Sequence, residues 1–127
     1  MGRIALAVEV IVTYLRVTWW RRGDDIQAAA AAARTGFGAP WSGGDPYEES
    51  VRLGFAVTRV LRLMPGDSRC LSRSLVLTAM LARRGIRSAI VIGVRPAPGF
   101  GSHAWVEHSG RPLLDAGPRG YRRLVEL

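Results

Sequence analysis

Along residues 1–22, MGRIALAVEVIVTYLRVTWWRR, apolar side chains return at helical rather than strand spacing. Ile4, Val8, Ile11, Leu15 and Trp19 share one face of such a helix, and Val10, Val12, Tyr14 and Trp20 spread the apolar surface well beyond that stripe. A helix this apolar calls for more than one neighbour. Packing of the stripe into the core is the simplest use of it, and docking on a partner protein or a membrane surface is the other. Glu9 and Arg16 interrupt the segment, so no uncharged run reaches the ~18–20 residues of a membrane span, and no small-residue cleavage site follows. Neither a transmembrane helix nor a signal peptide is expected.

The polar residues supply the punctuation. Asp24 with Gln27 resembles a capping box ahead of the alanine run Ala28 to Ala33, which stops at Thr35-Gly36. The stretch GFGAPWSGGDP, Gly36 to Pro46, is a connector whose Phe37 and Trp41 pin it to the body or line a groove. Asp45, Pro46 and Glu48 provide an N-cap, a first-turn proline and a capping-box acid, predicting a third helix from Pro46 to Leu63 with Val51, Phe55, Leu61 and Met64 on its inner face. Pro65-Gly66 ends it. Asp67 or Ser68 can cap the next helix, whose body carries Leu71, Leu75, Leu77, Met80 and Leu81 and whose stop is Gly85.

Beyond Gly85 the period changes. RSAIVIGV, Arg87 to Val94, is a nearly continuous β-branched run, as a central buried strand requires. After a Pro96 to Gly101 loop, SHAWVEHSGRPLLD alternates on both sides of Ser109-Gly110 and predicts an antiparallel hairpin. No repeat and no domain boundary interrupts the chain. The expectation is one α+β domain over residues 1–127, mainly helical over 1–64 and with its functional core over 65–127.

Composition narrows the function. A chain of 127 residues with 48% hydrophobic content has one core, and its single cysteine, Cys70, rules out an internal disulfide and suits a reducing, cytoplasmic setting. The net charge of +8 comes entirely from arginine and favours an acidic partner or surface, although replacement of lysine by arginine through base composition produces the same balance. The arginines are scattered and no nucleic-acid reader motif is present, which argues against a nucleic-acid partner. A zinc hydrolase using Cys70, His103 and His108 would lack a second cysteine and an H-E-x-x-H motif.

Cys70 falls at or within the first turn of its helix, where free backbone N–H groups and the positive helix end stabilise a thiolate and Arg69 and Arg73 add charge. A small buried thiol is the structural alternative. The order of a thiol at a helix start, His103 on a strand and Asp115 on the next strand matches acyl-transfer chemistry, in which imidazole takes the thiol proton and a carboxylate orients the imidazole. Trp105 and Glu107 follow His103 at strand period and share its face, and His108 sits at the solvated hairpin tip. The backbone N–H of Cys70 is one oxyanion donor, with Trp41, Ser68 and Ser102 as candidates for the second. The register that joins the set is a three-residue loop, His108-Ser109-Gly110, with Gly110 left-handed, which pairs Glu107 with Arg111, Trp105 with Leu113 and His103 with Asp115. A two-residue turn would place Ala104 opposite Asp115 instead.

These residues also carry a resemblance. Cys70-Leu71, LARRGI at Leu81 to Ile86, VIGV at Val91 to Val94, HAWVE at His103 to Glu107 and Leu114-Asp115 resemble the core of the lasso peptide biosynthesis B2 proteins, of the transglutaminase-like superfamily. The resemblance covers the C-terminal half strongly and the N-terminal half only in its apolar helical character. It implies a papain-like fold with N-terminal helices and a small antiparallel sheet, and a leader peptidase in which Cys70 is nucleophile, His103 general base and acid, and Asp115 the orienting residue. It implies no cofactor and no metal. Its partners would be a leader–core precursor peptide, a separate leader-binding B1 protein (RiPP recognition element) and an ATP-dependent lasso cyclase. Because the apolar helix starts almost at residue 1, the split, free-standing form is expected, in the cytoplasm or peripheral at the membrane. The alternatives are a transglutaminase-like acyltransferase and a non-catalytic basic adaptor or nucleic-acid-binding module.

Overall fold

The computed structural model describes residues 2–20, 25–35, 38–63, 69–95, 101–113 and 122–127. Its helices are α1 (Arg3–Trp20), α2 (Ile26–Ala33), α3 (Pro46–Leu61) and α4 (Arg69–Arg83), followed by strands β1 (Ala89–Arg95), β2 (Gly101–His108), β3 (Arg111–Pro112) and β4 (Arg122–Glu126). The other elements are arranged around α4, which packs against α1, α2 and α3 and also against β1 and β2. Contact with this many elements requires a helix that is apolar on most sides. Leu75, Val76, Leu77, Met80 and Leu81 are accordingly removed from water altogether, each contributing about 1.5–3 kcal/mol of burial.

The end of α4 matches the sequence expectation. Gly85 has φ +75°, its N–H donates to Ala82 O (3.0 Å) and the Ile86 N–H donates to Leu81 O (2.9 Å), the paired bonds of a Schellman stop. A Cβ at Gly85 would also collide with the Ala39 carbonyl oxygen, so the connector lies directly on this turn. Gly38 N–H, donating to Ala82 O at 2.8 Å, holds the connector there as well. Trp41 packs partly buried against the core, as one of the two connector aromatics was expected to do.

The sheet order is β3-β2-β1-β4, with all neighbouring pairs antiparallel. β1 is therefore interior, as its β-branched run predicts. β4 is an element that hydropathy does not predict, since three of its five residues are charged. It is secured from outside the sheet by Arg34, whose Nη2 donates to Ser88 O (3.1 Å) and Leu127 O (2.7 Å), while Leu127 and Ile90 exchange both backbone bonds (2.7 and 3.2 Å). Burial holds the Arg34 guanidinium below its ordinary pKa.

Three expectations are corrected. The inward face of α1 is Leu6, Val10, Thr13 and Val17, and the predicted stripe of Ile4, Val8, Ile11, Leu15 and Trp19 points outward. In α3 the buried residues are Ser50, Leu53, Gly54, Val57 and Leu61, with Val51 only partly buried and Phe55 66% exposed, because Gly54 and Ser50 let the helix approach its neighbours closely. The cap of α2 is Asp25, whose carboxylate accepts the Ala28 N–H at 3.1 Å, one residue beyond the expected Asp24. Asp45 caps α3 as expected, accepting from Tyr47 N–H at 2.9 Å ahead of Pro46. Asp24, Phe37, Met64, Pro65, Gly66, Asp67, Ser68 and Asp115 lie outside the described residues.

Candidate active site

Cys70 is the second residue of α4 and is half-buried. Its N–H is among the first four of the helix, which have no partner within the helix's own hydrogen-bond ladder. Its own carbonyl accepts from Ser74 Oγ at 2.8 Å, which stiffens this turn.

His103 belongs to β2, directly opposite Gly93 of β1, and Gly93 in turn lies opposite Arg123 of β4 just past an irregularity at Ile92/Gly93. A glycine between two such side chains leaves the row free of a third bulky group. Along β2, His103, Trp105 and Glu107 form one row. The His103 and Trp105 rings stack with centroids 6.0 Å apart and planes 27° from parallel. Trp105 Nε1 donates to Glu107 Oε2 at 2.8 Å, and Arg123 Nη2 donates to both Glu107 oxygens at 2.8 and 2.9 Å. Glu107 is 5% exposed, so its carboxylate is satisfied by two strong donors rather than by water. Its hydrogen bond raises the Arg123 guanidinium above its ordinary pKa. The intervening residues face the other way: Val106, with Ile90 opposite it, joins the same core cluster as Leu75, Leu77 and Met80.

The hairpin overturns the predicted register. Glu107 pairs with Pro112 and His108 with Arg111, so the loop is the two-residue Ser109-Gly110. Both have left-handed φ, 52° and 78°, as a type I′ turn demands. Its twist matches that of the flanking strands, which outweighs the penalty of a left-handed serine. Leu113 N–H still donates to Val106 O at 2.8 Å, in register with the turn, and β3 ends at Pro112. The cross-strand argument that set His103 opposite Asp115 is thereby withdrawn. Asp115 stands on the family resemblance alone.

The other candidates separate clearly. His108 is not a solvated tip residue: it is half-buried and its Nδ1 lies 2.8 Å from Arg87 O, which requires that nitrogen to carry the proton. Trp41 Nε1 donates to Gly44 O at 3.0 Å and so is already engaged. Ser102 belongs to β2. Tyr47, at the start of α3, anchors the hairpin by donating its hydroxyl to Pro112 O at 3.2 Å, while the Arg111 guanidinium lies 3.6 Å over its ring. Sequence reasoning named Glu107 as a neighbour of His103 but missed Arg123. The only available signal was an unassigned charged segment near the C-terminal end of the sequence. Among the described residues no group of three or more His, Cys, Asp or Glu side chains could hold a metal ion.

The helices gathered around α4, with α4 laid on a small antiparallel sheet, make an α+β fold. A family model described as the Transglutaminase-like superfamily matches residues 10–126, and the chain belongs to that superfamily. No curated protein and no solved structure matches it.

Proposed function

We propose that this protein is a cysteine peptidase that removes the leader from a lasso peptide precursor and so frees the core-peptide amine for macrolactam formation by a separate cyclase. The observation that supports this best is the position of Cys70 in the first turn of α4 in a chain of this superfamily, and the pairing of Cys70 with His103 of the HAWVE row is part of the proposal. His103 takes the thiol proton as sulfur attacks the carbonyl carbon of the last leader residue. The oxyanion is held by the Cys70 N–H and a second donor, and the intermediate collapses as His103 passes its proton to the leaving amine of the core. Water then attacks the thioester, His103 accepts its proton and returns it to sulfur, and the leader departs with a free carboxylate. Asp115 orients His103, in the role the resemblance assigns to it. A leader-binding B1 protein presents the precursor.

The test is incubation of the full chain with a lasso precursor and its leader-binding protein, followed by mass spectrometry. A single cut at the leader–core junction, absent with Cys70→Ala, supports the reading, and an intact precursor under these conditions overturns it. An acyltransferase would use the same thioester, and a product carrying an added amine in place of the free leader carboxylate would identify it.

A further inference from the structure

The five residues Ile4, Val8, Ile11, Val12 and Leu15, with Trp19 a turn further on, lie within an arc of about 100° on α1, opposite its buried face. Their exposures are 82, 52, 37, 47, 62 and 67%, leaving in water roughly 600 Å² of aliphatic and indole surface, the upper end of what an ordinary monomer shows. The stripe is convex and runs ~22 Å along the helix. No charged residue interrupts it. Arginines flank it instead. Arg16 borders one side, and on the other a shallow groove of about 300 Å³ between α1 and α3 is lined by Arg3, Arg52 and Arg59 around the exposed Phe55. Arg62 is exposed at the end of α3. Of the acids on these two helices, Glu9 is sequestered by Arg83 and Arg84, Glu49 is paired with Arg52, and Glu48 is exposed at the first turn of α3.

A second copy fits this surface poorly. A twofold contact would bring the arginine flanks of two +8 chains together. An aliphatic stripe bordered by cations and ending at a tryptophan has the chemistry of a helix lying in a lipid headgroup layer. Among the described residues no helix is long and apolar enough to cross a membrane, so the contact is one of lying on the surface. We propose that the outward face of α1, with the basic face of α3 beside it, seats the protein on an anionic lipid bilayer. This inference is independent of the peptidase reading.

The experiment is sedimentation of the full chain with vesicles of phosphatidylcholine alone or with one third phosphatidylglycerol. Binding should require the anionic lipid and weaken several-fold as salt rises from ~0.05 to ~0.5 M. Val8→Asp with Leu15→Asp should reduce it about tenfold or more, and Arg3→Glu with Arg59→Glu several-fold, with helix content unchanged by circular dichroism. If the aspartate pair does not fold, Val8→Ser with Leu15→Ser serves the same purpose. Failure to sediment with anionic vesicles overturns the proposal, as does binding that the folded α1 variants leave intact. A dimer or an acidic protein complex that Leu15→Asp disrupts, without vesicle binding, assigns the face to that occupant and overturns it too.

Discussion

The helices α4 and α1 are both apolar enough to be read as helices at sight, yet only α4 is buried nearly all round. α1 has two opposed apolar stripes, and the one carrying the larger side chains, Ile4, Leu15 and Trp19, faces out. The face it turns to α4 and α3 is made of smaller residues, Val10, Thr13 and Val17, with Leu6. Thr13 bonds back to Glu9 O at 2.7 Å, which hides its hydroxyl, and small side chains permit close approach of the helix axes. Glu9 then fixes the rotation, binding Arg84 at 2.7 Å and Arg83 at 2.9 Å where α4 ends. Spacing identifies a helix. Packing against a particular neighbour decides which face is inside.

The sharpest division is within α4, between a first turn to which the proposed chemistry is assigned and a structural body. Cys70→Ala should abolish precursor cleavage, by ~10³-fold or more, while moving stability by less than about 1 kcal/mol, because the thiol is small and half-buried. Leu77→Ala should do the reverse, with a stability loss of about 3 kcal/mol from a cavity at a fully buried site. The matching substitution on α1, Leu15→Ala, should change stability by no more than about 0.5 kcal/mol. Urea unfolding monitored by circular dichroism measures all three. A Leu15→Ala loss as large as that of Leu77→Ala would mean that α1 has its faces reversed in solution.

The next effect is at the clasp between the two helices. Burial opposes ionisation of Glu9, but hydrogen bonds from Arg84 and Arg83, together with their charges, outweigh it and hold the carboxyl below its ordinary value of 4.5. The unfolded chain then binds the proton more readily, so the clasp contributes fully above that value and its contribution is lost as pH falls through the lowered folded value. Glu9→Ala should cost about 2 kcal/mol at pH 7, through loss of the hydrogen bonds that Arg84 and Arg83 donate to this carboxylate. The gap between wild type and variant should close in acid. A gap that stays constant down to pH 3 would mean the pair contributes packing rather than charge.

Much of the fold was legible for identifiable reasons. Aspartate and proline set the start of α3 and glycine the end of α4, since each acts through its own backbone geometry, and the β-branched run of β1 needed only its composition. What escaped depended on distant partners. Nothing local in RRLVE marks β4, which is completed by Arg34 and Ile90. The site was legible in part by the same rule: Cys70 at a helix start and the shared face of His103, Trp105 and Glu107 follow from local period. Arg123, which fixes Glu107, comes from β4 and is silent in the pattern. The hairpin register differs from the expected one because turn twist outweighs both the facing of His103 with Asp115 and the Glu107–Arg111 charge pair that favoured a longer loop. In the fold Glu107 turns to Arg123, and Arg111 stacks on Tyr47.

That last choice can be tested with the smallest effect of the set. In a type I′ turn both loop residues have left-handed φ, and the first of them here is Ser109 at 52°. Asparagine enters this region more readily than serine because its short amide bonds locally to the backbone, and Asn-Gly is the favoured pair for such turns. Ser109→Asn should therefore stabilise the protein by about 0.5 kcal/mol, since the position is exposed and the change touches nothing else. In the three-residue alternative only Gly110 is left-handed, residue 109 lies in the right-handed region of a type I turn, and asparagine there gains nothing. A rise in the unfolding midpoint of a degree or more supports the two-residue turn. A null or negative shift would return the hairpin to the register in which His103 faces Asp115, and with it the cross-strand argument for the triad.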